Sequence, residues 1–347
     1  MQLVMKTGWI AALTLLMAWG TGLADNRVVV IPLMSKARIK PIKNVITVAK
    51  EGADFDDLAE AVNSITSLSE GYLIVIAPGV YTLRDTLKIK PNIQLVGSGQ
   101  GMTILNGSVS SDSSGNYGAL INNLGGMSYL SVKNNASGLK CSGITTGLYS
   151  ETHDVDISVS GSCQNAYGVV LGSAMVHDVD ISINSSDNVY GVYIKNARNV
   201  QGLSGTNITL RGSSSDCIGI YLAYNSIIES INSLKINSYC SGSGVFSEDR
   251  SRDILLNDVE IFSNSLNAPS TGITYWSDSV VSKLIIRRST ISGKGNAIYL
   301  VSNFDNNIVF ANQSTLIGGV EKERNKGKFK CVACDDGQGN ELDGSCL

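Results

Sequence analysis

The chain has 347 residues with 27 Lys and Arg against 30 Asp and Glu, a formal charge of −3. The basic residues form no long stripe, which argues against nucleic-acid binding, and only five prolines occur, four of them before residue 92. All seven cysteines lie beyond residue 140, in a part of the chain where disulfides are expected if it is exported.

In chain order, Lys6 precedes an apolar run from Trp9 to Trp19, and Gly22-Leu23-Ala24 offers a small-residue cleavage site. Residues 1–24 therefore read as a secretory signal peptide, too short and wrongly flanked for a membrane span. No later stretch is apolar for long enough to cross a bilayer, so the mature chain is expected to be secreted, periplasmic or on the cell surface. Residues 25–45 form a basic, Pro-containing connector. Asp54 is the expected N-cap of a helix with Leu58, Val62 and Ile65 on its apolar face, and Asp56 and Asp57 suit its first turn. Such a helix would cover the open end of a stack of strands.

From about residue 125 a degenerate repeat of about 25 residues takes over, built from two β-like strings. One reads Val155-Asp156-Ile157 and Val179-Asp180-Ile181, and returns around Ile208, Leu234 and Val259. The other is Gly followed by alternating aliphatics, at Gly147, Gly168, Gly191, Gly219, Gly244 and Gly272, with Ala297 closing the series. Alternation puts Leu148, Val169, Val192, Ile220, Val245, Ile273 and Ile298 inside as one ladder. Ile157, Ile181, Ile208, Leu234 and Val259 form a second ladder. A third short strand near Val176, Val200, Ile228, Leu255 and Val309 completes a three-sided coil. Strand-type residues at a fixed period of this length mean stacked coils, so the fold is expected to be an all-β solenoid over residues 46–320. A charged linker and a cysteine tail follow at 321–347. The spacing suits rung-to-rung disulfides Cys141–Cys163 and Cys217–Cys240; in the tail, Cys331–Cys346 and Cys334–Cys346 are both permitted.

Asp54-Phe55, the helix after it, Ala77-Pro78-Gly79-Val80-Tyr81 and Leu95-Val96-Gly97-Ser98-Gly99 resemble the opening coils of pectin-lyase-like parallel β-helices. Pectin methylesterases are closest in style. The resemblance covers roughly residues 45–108 and implies a right-handed coil. It stops short of the chemistry: the esterase's Gln-Asp-Thr-Leu-Tyr, Asp-Phe-Ile-Phe-Gly and Gly-Arg-Pro-Trp strings are absent, and Arg38-Ile39-Lys40, a polygalacturonase-like string, precedes the first coil.

Two groups of residues are candidates for function. His153-Asp154-Val155-Asp156 and its copy His177-Asp178-Val179-Asp180 point four carboxylates outward, with Asp156 stacked beside Asp180. Such a cluster suits a calcium ion on Asp156 and Asp180, or a glycosidase pair drawn from Asp154, Asp156, Asp178 and Asp180; repeat duplication alone also explains it. Asp249 and Arg250 offer an acid beside a substrate-binding cation. The second group is aromatic. Tyr149, Tyr193, Tyr221, Phe246 and Tyr299 share one outward phase, and Tyr224, Trp276 and Asp278 follow in the adjoining turns. Flat rings beside polar groups suit sugar binding, while aromatic pairing across strands accounts for them without a ligand. The favoured reading is an exported, non-catalytic β-helix that binds polysaccharide on this flank. A carbohydrate-active enzyme (esterase, hydrolase or lyase) and a surface scaffold are the alternatives.

Overall fold

The computed structural model describes residues 41–347, except 114, 186, 196–199, 201, 213–215, 224, 225, 227, 229, 249–252, 266–268, 278–281 and 325. The expected signal peptide, most of the connector, and Tyr224, Asp249, Arg250 and Asp278 lie outside the described residues.

The chain folds as a parallel β-solenoid. Its described strands form a ten-stranded sheet and a 19-stranded one, and every named strand pair is parallel, joining one turn to the next. No described helix is long and apolar enough to cross a membrane. One helix, α1 (Leu58–Ser64), packs Leu58, Ala61 and Val62 against the first coil. Its N-cap is Asp57, whose Oδ1 accepts from the Glu60 N–H at 2.9 Å. Asp54, expected there, instead accepts from the N–H and Oγ1 of Thr47, both at 2.8 Å. That bond ties the bend after the first strand (Ile42–Val48) to the strand itself, so the helix starts three residues later.

Each later turn has three straight segments. Two belong to the larger sheet and meet at a corner residue with φ near +50°: Asp154, Asp178, Ser233, Asp258, Arg288 and Gln313 in successive turns, with Gly205 at the same place. Asp is among the few L-residues that tolerate this conformation, which accounts for it at two of the first corners. The short segment buries Val176, Leu203, Ile231 and Leu256 in register. Leu256 fills the core rather than the expected Leu255, because a one-residue slip turns a strand over.

The second segment stacks Ile157, Ile181, Ile208, Ile236, Ile261 and Ile291. Ile236 and Ile261, not Leu234 and Val259, are the members of this ladder; all four are buried, since a slip of two keeps the same face. The third segment carries the glycines, and the two ladders explain why glycine recurs. A Cβ placed on Gly168, Gly191 or Gly244 would lie 2.3, 2.5 or 2.1 Å from the Cγ2 of Ile181, Ile208 or Ile261. The branch of each isoleucine occupies the space a side chain would need.

This packing also corrects one expected repeat. Gly143, not Gly147, faces Ile157 (2.3 Å to Cγ2), and Ile144 pairs with Val169. Leu148 and Tyr149 sit in a turn, 67% and 61% exposed. Disulfides join Cys141 to Cys163 and Cys217 to Cys240, and the tail resolves as Cys331–Cys346 with Cys334 buried and free. The ladders run on past residue 320, where Val320–Lys322 and Lys328–Val332 add strands to the two sheets.

Candidate functional site

On the ten-stranded sheet, the residue two places after each glycine points outward, and pairing aligns these residues into one continuous row. It begins with Lys88, Asn122, Thr145 and Val170. It continues through Tyr193, Tyr221, Phe246, Thr274, Tyr299 and Glu321. Neighbours along the row are spaced by the strand separation of about 4.8 Å. The sequence places Tyr193, Tyr221, Phe246 and Tyr299 here correctly, and Thr145 takes the position expected for Tyr149.

The rings do not present flat platforms. Tyr193 stacks on Tyr221 (centroids 5.1 Å apart, planes 15° apart) and Tyr221 on Phe246 (5.2 Å, 10°), so their faces cover one another and their edges meet solvent. Tyr167 and Tyr190 form a parallel stack beside them at 5.1 Å, and Tyr117 closes edge-on against Tyr167 at 5.3 Å. Stacked aromatics of this kind each add roughly 0.5–1.5 kcal/mol to the sheet. Burial holds the Tyr193 phenol up to about 12, and burial with the Glu248 carboxylate also raises Tyr221. These phenols are therefore neutral hydrogen-bond donors at physiological pH. Trp276 is 37% exposed and lies beside Val301, two residues beyond the Thr274 position of the row.

Where the aromatics stop, the surface opens into a cleft of about 680 Å³. Its floor is the first part of the row (Lys88, Asn122, Thr145 and Val170), with Asp85 and Thr86 on one side and Tyr117 and Lys195 toward the ring stack. Among the described residues neither Lys88 nor Lys195 has an ion-pair partner, so the cleft offers two cations, one carboxylate, and hydroxyl and amide groups. The cleft floor was not apparent from the repeat, because the glycine string fades before Lys88 and Asn122. The alternation in Leu87-Lys88-Ile89 does mark Lys88 as outward-facing.

The acidic corner lies on the other, larger sheet. Asp156 stands beside Asp180 and His153 beside His177, as the duplicated motif implies. The imidazole rings stack at 4.9 Å, with planes 1° apart. Each of the four expected carboxylates has a neighbouring donor: His153 Nδ1 is 2.8 Å from Asp154, His177 Nδ1 2.9 Å from Asp178, and Ser131 and Asn207 donate to Asp156 and Asp180. Burial, reinforced by Asp180, raises the Asp156 carboxyl. The sequence missed Glu151, a buried carboxylate from the same strand as His153, whose Oε1 is 3.4 Å from His177 Nε2. Among the described residues no cluster of three or more His, Cys, Asp or Glu side chains is arranged to hold a metal, and Asp156 and Asp180 form a pair rather than a cage.

Glu151, then Asp178, pushes His177 up to about 9. The folded value exceeds the unfolded one, so the stabilisation is full below about 6.5 and disappears as pH rises towards 9. The site is partly exposed, and after screening the contribution is about 1 kcal/mol. Urea midpoints measured from pH 6 to 10 should therefore fall in the wild type and lose that slope in His177→Gln. Parallel curves would show that the Glu151–His177 contact does not couple to folding.

No protein-family model matches this chain, and no curated protein matches it in sequence. Solved structures similar to it include pectin methylesterase from carrot (16% identity, TM-score 0.39, covering 86% of this chain and 90% of that one). Pectin methylesterase from Aspergillus niger is similar at 12% identity and TM-score 0.42 (84% and 88%). The Azotobacter vinelandii mannuronan C-5 epimerase AlgE6 A-module is similar at 12% identity and TM-score 0.44 (80% and 88%). At these values no residue role passes from those proteins to this one.

Proposed function

We propose that this protein is an exported, non-catalytic polysaccharide-binding β-helix that holds a carboxylate-bearing chain in the cleft between Asp85 and Lys195. The observation that carries this reading is the pair of cations, Lys88 and Lys195, in a concave site at the start of the outward row. Carboxylates satisfy such cations, and the hydroxyl and amide groups of Thr86, Asn122 and Thr145 suit sugar hydroxyls. A glycosidase needs two carboxyl groups across its bond, whereas among the described residues the cleft lining contains Asp85 alone. Three disulfides support an oxidising destination after export.

The test is affinity of the purified chain for polygalacturonate, and for a neutral glucan of matched length, at low and high salt. Salt-sensitive binding of polygalacturonate alone supports the reading. Equal binding of both polymers, or of neither, overturns it. Reducing ends, unsaturated products or methanol released in the same tubes would make the protein an enzyme instead.

A further inference from the structure

The segment from Val109 to Gly118 leaves the coil and returns to it, and one buried side chain holds both of its ends. Asn134 is fully buried. Its Oδ1 accepts from the Val109 N–H at 2.8 Å, while its Nδ2 donates to the carbonyls of Val109 (2.8 Å), Ser142 (2.8 Å) and Gly118 (3.3 Å). The segment is pinned again by reciprocal backbone bonds between Ser111 and Lys140. It returns through Gly118 at φ +59°, where a Cβ would lie 2.3 Å from the Lys140 carbonyl. These restraints place Tyr117 beneath the Lys140 ammonium, 5.6 Å from ring centroid to Nζ.

Tyr117 stands at the junction between cleft and ring stack. It lines the cleft and reaches across to Tyr167 and Tyr193, 5.3 and 5.9 Å between centroids. Val170, the last floor position before Tyr193, faces outward yet is only 8% exposed. The row is thus continuous in the backbone but interrupted at its surface.

We propose that Tyr117 is an end wall that limits the length of polysaccharide read by the cleft, and that Asn134 is the positioning residue that keeps it there. This rests on the proposed binding in the cleft. The floor spans four turns, three intervals of about 4.8 Å, and a pyranose unit is roughly as long as one turn is high. A bound chain therefore fills the floor at about four units and meets Tyr117. Without that ring, a longer chain continues over Tyr193, Tyr221 and Phe246.

The experiment measures affinity for oligogalacturonates from dimer to octamer by calorimetry, using wild type, Tyr117→Phe, Tyr117→Ala and Asn134→Asp. Wild type and Tyr117→Phe should gain affinity up to about the tetramer and then level off. In Tyr117→Ala the octamer should bind roughly fivefold tighter than the tetramer, the scale of one further aromatic contact. Asn134→Asp keeps the shape but loses the amide donors, and should move the length profile toward that of Tyr117→Ala. If Asn134→Asp fails to fold, the tyrosine variants decide alone. A wild-type affinity that climbs steadily to the octamer, or a plateau unchanged in Tyr117→Ala, overturns the end wall. Absence of wild-type binding at every length would instead overturn the binding function itself.

Discussion

Gly244→Ala should be among the most destabilising single-methyl additions in this chain, costing about 1–3 kcal/mol by overpacking. The new Cβ would stand 2.1 Å from Ile261 Cγ2 and 2.7 Å from the Gly272 carbonyl, and neither can withdraw without disturbing the ladder on its own side. The repeat itself contains the compensation. Two turns after Gly244, Ala297 occupies the glycine position, and the isoleucine ladder there ends in Leu316, which has no branch at Cβ. Ile261→Leu should therefore recover part of the loss in the double variant, as a coupling of about 0.5–3 kcal/mol between contacting sites. Ala297→Gly, which removes a tolerated methyl, should cost only about 1 kcal/mol. Urea unfolding of the wild type and these four variants checks this. Additive effects of Gly244→Ala and Ile261→Leu would show that the Cγ2 contact is not what excludes alanine.

Replacing Lys88 and Lys195 together with alanine should weaken polygalacturonate binding roughly 100-fold, from about 1.4 kcal/mol or more per charge-assisted hydrogen bond. It should also flatten the salt dependence, since exposed charge contacts are the ones salt screens. Stability should barely change, because neither lysine is paired among the described residues. Lys235 is the control: it is paired with Glu260 at 2.8 Å on the other sheet, so Lys235→Ala should leave binding intact. Equal losses from the control and the cleft variants would mean that net charge, not the cleft, attracts the polymer. Trp276→Ala distinguishes the two stretches of the row. It lies well beyond the cleft and should have little effect on short oligosaccharides.

Much of this architecture is local in origin and therefore legible in the chain. Alternation within a strand decides which face is buried, and a repeat of about one coil length brings like residues together. That is why Val169, Val192, Ile220, Val245, Ile273 and Ile298 are found inside, and why Cys141–Cys163 and Cys217–Cys240 bridge neighbouring turns. Errors arose where two local patterns competed. Gly147-Leu148-Tyr149 fits the string better than Gly143-Ile144-Thr145, yet only Gly143 faces an isoleucine branch across the core. The corner carboxylates are a similar case: Asp154 and Asp178 alternate like exposed strand residues, but both stand at a left-handed corner, bonded to the histidines before them.

The sequence by itself determined the solenoid, its inward ladders and the phase of its outward row, because each depends on the period of the chain and on pairing with the next copy. Only the tertiary structure decided how that outward row is used. Ring stacking turns Tyr193, Tyr221 and Phe246 edge-on, and Tyr117 reaches Tyr167 and Tyr193 from about 50 and 75 residues earlier in the chain, lining the cleft beside Lys88 and Lys195. Those contacts join parts of the chain that share no repeat position, so no local period encodes them; packing in three dimensions does.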